Sequence, residues 1–237
     1  MTSKTATKAP ALMALPRSRA ARLTMAALAL GLFGGISAAQ ATAVPTATAS
    51  TATAQLPIRV AALPADHFAQ GIEIKDDQLE PYVSFSSRKA HKSRHALGTG
   101  TEGNLHLTAH LDRNTNTASY RVWQDITNTD APRELTRVHY RAGGKVTQAN
   151  LSVANHWDSN CVPKETGGQC DQRIRVAFDL PEHVVREIAE GHQQGSRQGW
   201  AFRYKDAQGS DLDSVLAPAE AAGLIRTVDA WRANRVG

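Results

Sequence analysis

Nine histidines are many for a chain of this length, and two pairs have the spacing that lets one helix face chelate a metal: His91 with His95, and His106 with His110. The second pair falls in a segment that alternates like a strand. Four residues at about 3.3 Å each would set its rings roughly 13 Å apart, too far to share an ion. The first pair lies in Arg88-Lys89-Ala90-His91-Lys92-Ser93-Arg94-His95, whose cations oppose a further cation. Solvated or hydrogen-bonded histidines are the better reading, and no metal is expected.

The same segment supplies a different chemistry. Arg88, Lys89, Lys92 and Arg94, without interleaved aromatics, suit contact with an anionic surface rather than base stacking. The alternative is pairing with the preceding acidic stretch, Glu73, Asp76, Asp77 and Glu80. Gly98-Thr99-Gly100-Thr101-Glu102-Gly103 spells a dinucleotide fingerprint, but that motif must open a helix. Here a strand pattern follows, so no nucleotide is expected. Asp206, Asp211 and Asp213 around Gly209 miss the calcium-loop spacing and read as a charged hairpin. No hydrolase, kinase or zinc-protease motif occurs. Asp125, His139 and His156 stand as unranked acid and base candidates should the fold gather them. No cofactor is expected.

The elements that must carry these residues are mostly strands. Leu105, Leu107, Ala109 and Leu111 share one parity, as do Tyr120, Val122 and Ile126, then Ile174, Val176 and Phe178, then Trp200, Phe202 and Tyr204. Residues 82–86, 134–141 and 145–153 are further strand candidates. Ala142-Gly143-Gly144 and Asp206-Ala207-Gln208-Gly209 read as hairpin turns. Helical spacing appears twice, each time opened by proline: after Pro181, with Val184, Val185 and Ile188 on one face and Gly191 as the stop, and from Pro218, with Ala221, Leu224, Ile225, Val228 and Trp231. The pattern predicts an α+β domain, mainly antiparallel and sandwich-like, with two helices in the C-terminal third. An all-β sandwich is the alternative.

Compartment is read at the other end. Lys4, Lys8, Arg17, Arg19 and Arg22 precede an apolar run from Leu23 to Phe33, with small residues up to Ala41 at the positions a signal peptidase reads. Residues 1–41 therefore predict a cleaved signal peptide, with no membrane span remaining. Residues 42–55, built from Ala, Thr, Pro, Ser, one Val and one Gln, predict a flexible linker, and residues 56–237 a single domain. Of 27 basic residues five belong to the leader, which leaves 22 against 22 acidic ones. Bulk charge thus gives no reason to expect a nucleic-acid partner. In an oxidising compartment Cys161 and Cys170 should pair, closing a short loop worth roughly 2.5 to 3 kcal/mol.

Val176-Ala177-Phe178-Asp179-Leu180-Pro181-Glu182, Trp200-Ala201-Phe202-Arg203-Tyr204-Lys205, Ala217-Pro218-Ala219-Glu220-Ala221-Ala222-Gly223-Leu224 and Val228-Asp229 carry a resemblance. With Leu111-Asp112-Arg113 and the short Cys-to-Cys loop, the chain from 72 to 232 resembles a group of small exported proteins of proteobacteria. That resemblance implies export and one domain, and it implies no activity. The expectation is a periplasmic or secreted, non-enzymatic binding or scaffold domain of the cell envelope, with an envelope component or periplasmic protein as partner. An envelope hydrolase is the alternative.

Overall fold

The computed structural model describes residues 55–90, 103–128, 133–159, 161, 168 and 170–235. The leader, the linker up to residue 54, His91, Lys92, Arg94, His95 and the glycine string up to residue 102 lie outside the described residues.

Among the described residues ten strands form two antiparallel sheets, accompanied by four helices. The six-stranded sheet has the order β1 (Glu73–Lys75), β2 (Tyr82–Ser86), β3 (Gly103–Asp112), β4 (Ala118–Asn128), β8 (Asp171–Leu180), β7 (Val153–Ser159). The four-stranded sheet has the order β10 (Leu212–Leu216), β9 (Trp200–Asp206), β5 (Leu135–Ala142), β6 (Lys145–Asn150). Helices α1 (Ile58–Ala61) and α2 (Ala65–Gln70) precede the sheets, α3 (Glu182–Glu190) follows β8, and α4 (Pro218–Arg235) ends the fold.

Side chains alternate across a strand, so one parity of each long strand is committed to the core. Val83 and Phe85 of β2, Leu107, Ala109 and Leu111 of β3, Tyr120, Val122 and Ile126 of β4, and Ile174, Val176, Phe178 and Leu180 of β8 are all buried on one face. Two layers cover that face. The four-stranded sheet meets it through an aromatic cluster in which Phe178 lies 5.3 Å from Phe202 and 6.0 Å from Tyr204. Across the β2–β3 part α4 takes over, with Trp231 edge-on to Phe85 at 5.9 Å. Burying each such aliphatic or aromatic side chain contributes roughly 1.5 to 3 kcal/mol.

Helix α4 is held on its other side by α2, and their close approach requires Gly223. A Cβ there would come within 2.8 Å of Ala65 O, Ala69 N and Phe68 Cβ. Arg186 of α3 and Arg232 of α4 share Glu182 and Asp229 in a network of bonds between 2.6 and 3.1 Å. The Arg232 and Arg186 hydrogen bonds, acting against partial burial, pull the Glu182 carboxyl down to about 2.

The expected β5–β6 hairpin is present, with Gly143 and Gly144 both at positive φ, 56° and 75°. Three expectations need correction. The strand expected over 145–153 is two strands: β6 ends at Asn150, and Ser152 N–H already bonds Ala177 O of the other sheet at 2.8 Å. Helix α3 begins at Glu182, so Pro181 is its N-cap rather than its first residue. Gln55, assigned to the linker, forms a bridge with Gln198. The all-β alternative is replaced by the α+β arrangement.

One polar group inside this fold links its stability to pH between the ordinary carboxylate range and neutrality. Glu220, in the first turn of α4, is 1% exposed. Its Oε1 accepts Leu107 N–H at 2.9 Å and shares a short hydrogen bond with Ser87 Oγ. Ser87 Oγ also lies 3.0 Å from Leu107 O, while Leu107 N–H reaches Ser87 Oγ at 2.9 Å. One hydroxyl proton cannot serve both Leu107 O and a carboxylate. Ionised, Glu220 accepts from Ser87; protonated, it can supply the second proton, donating to Ser87 while Ser87 donates to Leu107 O. A helix N-terminus favours a charged carboxylate by roughly 0.3 to 1 kcal/mol. Burial outweighs that and the hydrogen bonds from Ser87 and Leu107, and pushes Glu220 up to about 7 from 4.5.

Between those two values the folded chain keeps a proton that the unfolded chain releases. This contribution is therefore complete below pH 4.5 and is lost as pH rises through 7, a change on the order of 3 kcal/mol. Glu220→Gln keeps a donor and an acceptor and cannot ionise. Urea unfolding of both proteins across this range should show wild-type stability falling relative to the variant by that amount as pH rises. A pH-independent difference would mean that Glu220 is not buried as a neutral acid.

Candidate functional site

The opposite parity of the same strands builds the outer face of the six-stranded sheet. Tyr82, Ser84 and Ser86 of β2, His106, Thr108 and His110 of β3, Arg121, Trp123 and Asp125 of β4, and Arg173 and Arg175 of β8 all lie there, beside Glu73 and Lys75 of β1. None of this parity is needed for the core. It carries two imidazoles, several cations and an indole in place of the small polar residues that usually face water.

These side chains order one another. The His110 ring stacks on Tyr82 at 4.5 Å, and His106 lies parallel to Trp123 at 6.5 Å. The Arg121 guanidinium sits 5.7 Å over Trp123, and Arg175 sits 5.6 Å over Trp157 of β7. Trp123 Nε1–H donates to Thr108 Oγ1 at 3.1 Å. Arg175 grips Asp125 with two parallel bonds of 2.6 and 3.0 Å. Burial works against the Asp125 charge, yet the bonds from Arg175 and Asn104 hold its carboxyl below the usual range.

A break in the β3–β4 register between Gly103 and His106 completes the arrangement. Asn104 there takes a left-handed φ of 54°, which Asn tolerates better than most residues. Its amide donates to Asp125 Oδ2 at 3.1 Å, and its carbonyl accepts from His106 Nδ1 at 2.7 Å.

Between β1 and β4 the face sinks into a cavity of about 310 Å³. Glu73, Lys75, Ser84, Arg88, His106, Thr108, His110, Trp123 and Arg175 are among its lining residues. Its charge is unbalanced. Glu73 is paired with Lys89 at 3.1 Å, and Arg175 is paired with Asp125. The side chains of Lys75 and Arg88 make no ion pair with any described residue. Both imidazoles are pushed toward the neutral form, His106 by burial and then by Arg88 and Arg175, His110 by burial and then by Arg121. The outcome is a concave site with two cations outside any ion pair, imidazoles pushed toward neutrality, and the Ser84 hydroxyl. Two cations beside such a cavity favour an anion over a further cation electrostatically. Among the described residues no three His, Cys, Asp or Glu side chains gather as metal ligands.

The residues singled out from sequence scatter differently. Of the anionic-surface set, Arg88 lines the cavity, Lys89 pairs with Glu73, and Lys92 and Arg94 lie outside the described residues. The alternative pairing with the acidic stretch is thus realised in part, and Arg113 takes the other acidic residues, bonding Asp76 and the carbonyls of Asp77 and Glu80. The acid and base candidates are not brought together. Asp125 is on the outer face, His156 shares the opposite parity with Ile174, and His139 is in the other sheet, 3.2 Å from Gln148. Gly103 opens a strand and not a helix, against the nucleotide reading. Lys205 pairs with Asp211 and Arg203 with Asp213, as in a charged hairpin. Cys161 and Cys170 form a disulfide. Among the described residues no helix is long and apolar enough to cross a membrane.

Lys75, Ser84 and Arg175 were not singled out, since their strands become neighbours of β3 and β4 only through the strand order. Ser84 and Ser86 alternating with Val83 and Phe85 was the available signal. No family model, curated protein or solved structure matches the chain.

Burial and cation neighbours together set the imidazole charge. In an NMR titration His106 and His110 should both titrate below the ordinary value near 6.5. Arg88→Gln should move His106 part of the way back and leave His110 in place. A His106 midpoint above 6.5 would contradict the cationic cavity.

Proposed function

We propose that this chain is an exported, non-enzymatic binding domain that takes up an anionic component of the cell envelope on the outer face of its six-stranded sheet. The observation that carries this reading is the convergence of Lys75 and Arg88, neither in an ion pair with a described carboxylate, on a cavity where the one lining carboxylate, Glu73, is already bonded to Lys89. Placement in the periplasm or beyond rests on the leader of residues 1–41 and is supported by the disulfide, a bond that persists in oxidising compartments. The resemblance to small exported proteobacterial proteins points the same way. A binding role is favoured over hydrolysis because the ordered groups on this face are spent on one another. Asp125 serves Arg175, and His106 Nδ1 serves a backbone carbonyl, so among the described residues of this face no carboxylate orients an imidazole toward a nucleophile.

Retention of the purified, disulfide-intact protein on dextran sulfate resin tests this proposal. Wild type should bind at low ionic strength and elute as salt rises. Lys75→Gln with Arg88→Gln should elute markedly earlier than wild type. No retention at low salt, or retention untouched by the Lys75 and Arg88 changes, would overturn the assignment.

A further inference from the structure

One group in the cavity has no use for a bare anion. His106 Nδ1 lies 2.7 Å from Asn104 O. A carbonyl only accepts, so Nδ1 carries the proton and Nε2 keeps its lone pair. No described residue donates to that Nε2. The cavity thus presents donors, in the Lys75 ammonium and the Arg88 guanidinium, beside an acceptor held in a neutral ring. Carboxylate and phosphate oxygens satisfy donors and leave an acceptor unmet. A hydroxyl meets it.

Three further features fit a ligand bearing hydroxyls together with a charge. Ser84 lies directly across from His110 in the β2–β3 register, which adds a hydroxyl able to donate or accept. Trp123, half-buried with Arg121 over its ring and His106 parallel to it, leaves part of an indole in the wall for C–H groups. The volume of about 310 Å³ is larger than a carboxylate needs and falls at the small end of ligand pockets, the range of a single sugar ring.

We propose that the cavity binds one acidic sugar residue, its carboxylate between Lys75 and Arg88 and its hydroxyls at His106 Nε2 and Ser84. This deepens the anion-binding reading and rests on it. The ring can come from a free sugar acid or from one unit of an acidic polysaccharide.

Calorimetric titration of the disulfide-intact protein at low salt separates the possibilities, using D-galacturonate, propionate, D-galactose and trigalacturonate. Galacturonate should bind about tenfold more tightly than propionate, the worth of one or two added hydrogen bonds, and more tightly than galactose by at least as much. His106→Phe, which keeps a ring and loses the acceptor, should remove the advantage of galacturonate over propionate. Trigalacturonate binding at least as well as the monomer assigns the ring to a polymer; weaker binding assigns it to the free acid. Equal affinity for propionate and galacturonate in the wild-type protein would overturn the sugar proposal and leave the anion site standing. Galactose equal to galacturonate would overturn the role of the two cations. Binding of none of the four would overturn both readings.

Discussion

A buried carboxyl joins the two halves of this structure. Glu220 carries α4 onto the inner face of the six-stranded sheet, and the two atoms it meets, Ser87 Oγ and Leu107 N, belong to the residues next to Ser86 and His106. The bond therefore fixes the helix that closes the core and the strand ends that line the cavity. Its position in the first helical turn would favour a charge, and burial reverses that preference. Ser87 explains how a neutral acid is accommodated, because its hydroxyl can pass a donor on to Leu107 O. Fold and cavity are coupled here through hydrogen bonds and not through apolar contact alone.

From that anchor the period-two rule does the rest. Once Leu107, Ala109 and Leu111 point toward α4, His106, Thr108 and His110 must point away from it, and a one-residue slip of any strand would turn its whole apolar set to the outer face. Register is strongly specified because one face is so apolar. The outer face is then free of core duty, and it holds stacked imidazoles, arginines over indoles and a bidentate ion pair. Such contacts contribute about 0.5 to 1 kcal/mol each at exposed sites, enough to order the side chains without making the fold depend on them. A surface ordered in advance loses less entropy when a ligand settles on it.

How far the sequence foretold this can be argued from particular residues. The parity of β3, β4, β8 and β9 was legible, because each strand buries one face completely. Val184, Val185 and Ile188 of α3 and the stripe of α4 were legible for the same reason. Strand β7 was not: Val153, Ala154, Asn155, His156 and Trp157 form a sheet edge with little burial, so no apolar alternation marks them. The break at Asn150 was hidden because the chain changes sheets without a glycine or proline. Helices α1 and α2 are too short for periodicity to register. Part of the candidate site was visible, in Arg88, His106, His110 and Asp125, though two of these drew notice as a metal pair. Lys75 and Arg175 became relevant only when β1 and β8 were placed in one sheet with β3, a matter of long-range topology that local spacing does not encode.

The claim on which the account rests is that the outer face, and not an edge or the four-stranded sheet, is where this protein meets its ligand. Amide chemical-shift mapping during a titration with D-galacturonate tests it most directly. The account expects perturbations on Lys75, Ser84, Ser86, Arg88, His106, His110 and Trp123, with β5, β6 and β9 unmoved. Shifts confined to the four-stranded sheet or to the exposed β7 edge would contradict it.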